Sequence, residues 1–197
     1  MMKARKAEVD RTTKETKVTV KLNLDSSGGG QITTGIPFFD HMLSLLSTHG
    51  FFKLSISAEG DTDVDFHHTV EDVGIVCGDA LNKALGDRTG INRYGHAVTP
   101  MDEALTAVTL DLSNRPHLVY NTPCAPVVKG NFDIQLAKEF FKAFATRGGI
   151  TLHINVFYGE NDHHVIESIF KATGRALNSA VSFNKRVLGA HSTKGFL

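Results

Sequence analysis

The stretch Asp65-Phe66-His67-His68-Thr69-Val70-Glu71 carries a pattern, His-His-x-x-Glu, that this chain writes twice. It returns as Asn161-Asp162-His163-His164-Val165-Ile166-Glu167. Each copy opens an apolar run that reaches the same tripeptide, Ala80-Leu81-Asn82 in the first and Ala176-Leu177-Asn178 in the second, at a constant offset. A lone pair of adjacent histidines at a helix start is ordinarily solvated or capping. Two pairs, each with a glutamate at the same spacing, point to a duplicated unit that holds metal.

Helix geometry sharpens this. Neighbours on a helix point about 100° apart, while residues i and i+4 share a face. His67 can therefore grip an ion with Glu71, and His163 with Glu167. His68 and His164 are turned away. If two such units face each other, each can cross to the other's ion, giving two equivalent sites built from both halves.

The 197 residues suffice for one large domain or two small ones with a shared core. Net charge is near zero, which supplies no attraction to nucleic acid or a membrane surface. No apolar run approaches the roughly 20 residues of a bilayer span, and Met1 to Lys6 is not followed by the apolar core of a signal peptide. Cys77 and Cys124 stand in unrelated contexts. Cys77 reads as a buried thiol, no disulfide is expected, and the setting is cytoplasmic.

Residues 17–24 alternate as a half-buried strand, and Ser26-Ser27-Gly28-Gly29-Gly30 reads as a hairpin connection. Pro37 and the 3–4 spacing after it predict a helix over 37–48, ended by Gly50. A strand around Leu54, Ile56 and Ala58 precedes the first His-His helix, which runs to about Leu85. The order then repeats: a strand over Leu105–Leu112, a short one at Leu118–Tyr120, a helix with Phe140, Phe141 and Phe144 ended by Gly148-Gly149, a strand over Leu152–Val156, and the second His-His helix to about Phe183. The expected fold is α+β: two similar tandem halves, each a mostly antiparallel sheet with helices packed on one face. The halves are placed at 1–88 and 89–184, with a C-terminal tail at 185–197.

The offset that matches Gly50 with Gly148 and Leu54 and Ile56 with Leu152 and Ile154 sets Glu139 opposite His41, so one of these residues can complete each metal site. Imidazole and carboxylate without thiolate suit Mn, Fe, Ni or Zn in an open, functional site. Arg93, Arg115, Lys171 and Lys194 are candidates for anion binding. Sequence alone does not assemble them.

These motifs resemble the imidazoleglycerol-phosphate dehydratase family over nearly the whole chain. The resemblance rests on Arg11 to Thr16, Pro37 to Leu43, both His-His-x-x-Glu helices, Pro100 to Ala104, Arg115-Pro116 and Ser192-Thr193-Lys194-Gly195. It implies a lyase of histidine biosynthesis converting imidazole glycerol phosphate to imidazole acetol phosphate. It implies two Mn2+ per chain at subunit contacts, and trimers assembled into a 24-subunit shell. It also implies a phosphate site of Arg93, Arg115, Lys194, Ser192 and Thr193, with Glu15, His49 and Lys171 as further substrate contacts. Two positions depart from the pattern: Glu139 stands where His is frequent, and Asn114 where Gly is common.

The proton lost in that reaction is not acidic, because no carbonyl activates it. Metals on the substrate imidazole would act as Lewis acids, loosening the hydroxyl on the adjacent carbon and acidifying the neighbouring C–H. Glu167 is the first candidate for the base and Glu15 the second, with His49 as the acid for the departing hydroxyl. A metal-storage shell without turnover and a metallohydrolase are the competing readings. The phosphate-contact residues argue against the first, and nothing in the sequence independently supports the second.

Overall fold

A computed structural model describes residues 4–26, 28–122, 128–129 and 132–195, with the backbone alone at 128–129. Ser27 and Cys124, named above, lie outside the described residues, as do positions 1–3 and 196–197.

The chain runs β1 (Lys6–Thr12), β2 (Thr16–Asn23), β3 (Ile32–Thr33), α1 (Pro37–Gly50), β4 (Lys53–Gly60) and α2 (His67–Leu85). It continues as β5 (Tyr94–Met101), β6 (Ala104–Asp111), β7 (His117–Asn121), β8 (Val128–Lys129), β9 (Phe132–Asp133), α3 (Leu136–Gly148), β10 (Thr151–Tyr158) and α4 (Asp162–Val181). One sheet has the order β1-β2-β4-β3 and the other β5-β6-β10-β7. In each, three strands are antiparallel and the fourth is parallel to its neighbour. The expected α+β class with two similar, mostly antiparallel sheets is what the chain adopts.

Alternation decides which faces are buried. Val18, Val20 and Leu22 on β2 turn inward while the residues between them face out. The equivalent strand β6 buries Ala104, Thr106, Val108 and Leu110. Helix α2 lies on the first sheet and α4 on the second. The first helix of each half crosses over: α1 packs against α4, and α3 against α2. The buried side chains therefore form one continuous core, and the crossing brings residues from opposite halves together.

Close backbone approach explains the crossing. A Cβ on Gly174 of α4 would lie 2.5 Å from the Leu46 carbonyl oxygen and 2.9 Å from the Gly50 nitrogen of α1. Gly78 stands at the equivalent place on α2, where a Cβ would lie 2.7 Å from the Phe144 carbonyl oxygen of α3. Only glycine admits a neighbouring helix so near.

Two local expectations need correction. The glycine-rich stretch after β2 does not join adjacent strands, because β3 lies beyond β4. Gly29 instead accepts a hydrogen bond from the Leu54 amide of β4, so the segment runs along that strand. Gly50 does not stop α1; it lies in the last turn, and Phe51 at φ 54° is the left-handed cap. Strands β1 and β5 were not anticipated: the inward positions of β5 are Gly95, Ala97, Thr99 and Met101, and β1 buries Ala7 and Val9 only in part, so neither presents a strongly apolar face.

Candidate active site

The N-terminal turns of α1 and α4 converge on Glu167. Asn161 caps α4 by accepting a hydrogen bond from the His163 amide, 3.0 Å away, which fixes where the helix begins. His163 and Glu167 then share a face: His163 Nε2 is 3.3 Å from Glu167 Oε2. Helix α1 delivers His41, whose Nε2 is 3.8 Å from the same oxygen. The ligand atoms of these three side chains all lie within 4.8 Å of one another, the one such group among the described residues. Phe38 packs edge-on against the His163 ring. Two imidazoles and a carboxylate at this spacing fit a divalent ion with open positions.

The other oxygen of Glu167 is held by Lys171, one turn on, at 2.6 Å. Burial pushes the Glu167 carboxyl up. The hydrogen bond and charge of Lys171, with His41 and His163, outweigh it and leave the carboxyl below its usual range. Two turns beyond His41, the pKa of His49 is lowered, chiefly by burial and then by the charges of Lys171 and Arg175, against a smaller opposing pull from Glu167. Lys171 and His49 therefore stand in the same neighbourhood as Glu167.

The α2 copy is more open. His67 Nε2 and Glu71 Oε2 are 3.9 Å apart and both side chains are 43% exposed. Glu139 on the facing helix α3 contacts Lys142 at 3.3 Å and does not form a three-ligand group with them. His68 turns to Asp61, with Nδ1 to Oδ2 at 3.0 Å, and stands 3.9 Å from Glu15. His164 turns to Glu103, with Nδ1 to Oε2 at 2.7 Å. Within this chain, neither His68 nor His164 joins the group around Glu167. Asp61 raises the pKa of His68, and His164 is the leading cause that lowers Glu103 to about 2.

Three of the four anion-binding candidates, Arg93, Arg115 and Lys194, gather elsewhere. Arg93, Arg115, Arg186 and Lys194 line a cavity of about 780 Å³ whose other wall is the tail from Val187 to Thr193. Arg93 is buried at φ 71°, while the Arg115 side chain is 67% exposed. Asn114, which departs from the expected glycine, adopts φ 58°. Asn tolerates the left-handed region better than most residues, so the turn before Arg115 keeps a shape that suits glycine. Glu15, His49 and Lys171 are not among the residues lining this cavity.

A model of the imidazoleglycerol-phosphate dehydratase family matches residues 34–177. The chain belongs to this family. The dehydratase of Desulfosudis oleivorans is 63% identical over 97% of this chain and 98% of its own length. That of Syntrophobacter fumaroxidans is 57% identical over 98% of each. Among solved structures, the Staphylococcus aureus dehydratase has a TM-score of 0.82 at 38% identity, covering 91% of this chain and 99% of its own. The Pyrococcus furiosus enzyme has a TM-score of 0.84 at 35% identity, covering 96% and 100%.

Several residues of this dehydratase-family site escaped sequence reasoning. Asp61 and Glu103 orient the second histidine of each pair, a task that carboxylates commonly perform for metal-ligating imidazoles. Their signal was present: Asp61 opens the acidic loop before α2, and Glu103 lies in the Pro100–Ala104 motif. Asp111 and Arg186 carried no such signal. Among the described residues, no helix is long and apolar enough to cross a membrane.

Proposed function

We propose that this enzyme, a hydro-lyase that removes water from imidazoleglycerol phosphate in histidine biosynthesis, works through two metal sites and a separate phosphate cavity. The observation that carries the reading is the convergence of His41, His163 and Glu167 from opposite halves of the chain, with Lys171 on the free oxygen of Glu167.

The first site takes His41, His163 and Glu167. The second takes His67 and Glu71, with Glu139 in the position equivalent to His41. His68 and His164 complete the sites across subunit contacts, which accounts for their rings lying away from the group in a single protomer. The chain thus serves in a homo-oligomer, with a 24-subunit shell of trimers as the assembly, two Mn2+ per chain and a cytoplasmic location. Residues 1–88, 89–184 and 185–197 are its two halves and substrate-contacting tail.

When bound, the metal supplies Lewis acidity toward the substrate imidazole. The protein supplies the rest. Arg93, Arg115, Lys194, Ser192 and Thr193 hold the phosphate and fix the register of the substrate. Glu167 is poised as a base, because Lys171 keeps it ionised and within hydrogen-bond reach. His49 is the acid for the departing hydroxyl, and Glu15, beside His68, is the alternative carboxylate.

The test strips the protein of metal, titrates it with Mn2+, and records turnover with particle mass. Parent activity and the large assembly are expected to return together near two ions per chain. Glu167→Gln keeps the shape of the side chain and one oxygen but cannot take a proton. With metal loaded it is expected to lose turnover by ~10²–10⁴-fold. Parent-level activity in the loaded variant would refute the assignment of the base.

A further inference from the structure

Two arginines that line the phosphate cavity share a carboxylate partner that charge alone does not explain. Asp111, the last residue of β6, grips Arg93 with both oxygens: Nε donates to Oδ1 at 2.6 Å and Nη2 to Oδ2 at 2.9 Å. The same carboxylate stands 3.6 Å from Arg115 Nη2. Its side chain is only 15% exposed. Against an incoming phosphate, this carboxylate is a like charge that opposes binding.

Orientation offers the explanation. A two-pronged pair fixes the plane of a guanidinium as a single contact does not. With Nε and Nη2 turned to Asp111, Arg93 points Nη1 at the carbonyl of His191, to which it donates at 2.6 Å. His191 immediately precedes Ser192, Thr193 and Lys194. The Tyr94 ring lies 4.8 Å from the guanidinium carbon. The backbone of Arg93 is held in the left-handed region, at φ 71°. Its amide donates to Ala180 and its carbonyl accepts from the Leu112 amide, so flanking hydrogen bonds hold a conformation that a non-glycine residue adopts only under constraint.

We propose that Asp111 is a positioning residue for phosphate recognition: through Arg93 it holds the tail at His191, and it sets Arg115 beside that tail. The proposal rests on the reading of this cavity as the phosphate end of the site. It goes further by assigning the carboxylate that grips Arg93 a role in affinity.

Charge and orientation predict opposite signs. Asp111→Asn keeps the size of the side chain and removes its charge. If Asp111 acted only as a nearby anion, the variant would bind phosphate more tightly. Positioning predicts the reverse. In the assembled, metal-loaded enzyme, Asp111→Asn is expected to raise the KM for imidazoleglycerol phosphate about tenfold or more and leave kcat within about twofold. It is also expected to weaken inorganic phosphate as a competitor and to speed tryptic cleavage after Arg186 and Lys194. Unchanged or tighter phosphate binding overturns the proposal. Arg115→Ala is measured alongside. If it leaves phosphate binding unchanged, the reading of the cavity fails; if it weakens binding while Asp111→Asn does not, only the role of Asp111 fails. Should Asp111→Asn not assemble, Asp111→Glu keeps the charge and moves the fork by one methylene. It is read the same way, and an unchanged KM there overturns the proposal.

Discussion

Gly174→Ala tests whether the helix crossing sets the geometry of the metal site. The new methyl would lie 2.5 Å from the Leu46 carbonyl oxygen and 2.9 Å from the Gly50 nitrogen. Both neighbours are backbone, so no side chain can swing aside. Restoring ordinary contact, about 3.4 Å, moves α1 away from α4 by roughly 0.9 Å. Alanine gains about 1 kcal/mol over glycine in helix propensity, and overpacking costs about 1–3 kcal/mol. The net stability change is therefore a loss of about 2 kcal/mol at most. The larger effect falls on the site. His41 rides on α1 and already stands 3.8 Å from Glu167, while metal ligands must sit within about 0.2 Å of their proper distances. Calorimetric Mn2+ titration of the stripped variant is expected to show one site weakened by about 10–100-fold, with the other little changed. Gly78→Ala, at the α2–α3 contact, is expected to weaken the other site. Parent affinity at both sites in Gly174→Ala, with unchanged thermal stability, would refute the claim that this contact sets the position of His41.

Two further predictions concern the core. Arg88 is buried, and its guanidinium donates to the carbonyls of Leu112, Gly148 and Gly149 and to Asn82 Oδ1, joining the end of α2 to both strands and helices of the second half. Arg88→Met removes these donors and is expected to cost about 3 kcal/mol, seen in calorimetry as a fall in Tm of roughly 6–12 °C; a fall under 2 °C would show that water replaces the guanidinium freely. Burial pushes the Cys77 thiol up to about 12. A thiol raised above its unfolded value contributes stability that is complete below that value and declines as pH climbs through about 9 and beyond. At pH 8, iodoacetamide is expected to label Cys77 about a thousandfold more slowly than a free thiol, and at ordinary rates once urea unfolds the chain. Rapid native labelling, read by mass spectrometry of the Cys77 peptide, would contradict the burial.

What was readable before folding was whatever helix and strand periodicity carries locally. The pairing of His163 with Glu167, and of His67 with Glu71, follows from four residues of helix and needs no partner. The inner strands β2, β4, β6 and β10 alternate because one face of each is buried, so their positions were visible. Outer strands β1 and β5 alternate too, but their inward residues are small, polar or few (Ala7 and Val9; Gly95, Ala97, Thr99 and Met101), so they were missed. The anion-site arginines were recognised by residue type, but the carboxylate that orients Arg93 was not. Asp111 looks like any polar residue closing a strand, and its meaning depends on a partner eighteen positions away.

Sequence by itself therefore determined the repeat, the four helices, the two sheets and the His–Glu pairs at the start of α2 and α4. Tertiary structure alone decided that α1 lies on α4, and so that His41, not Glu139, faces Glu167. It also decided that the tail is tied to Arg93 through His191. The reason is physical: these contacts depend on how closely two backbones can approach and on which polar groups remain unpaired after packing, and neither quantity has a period along the chain.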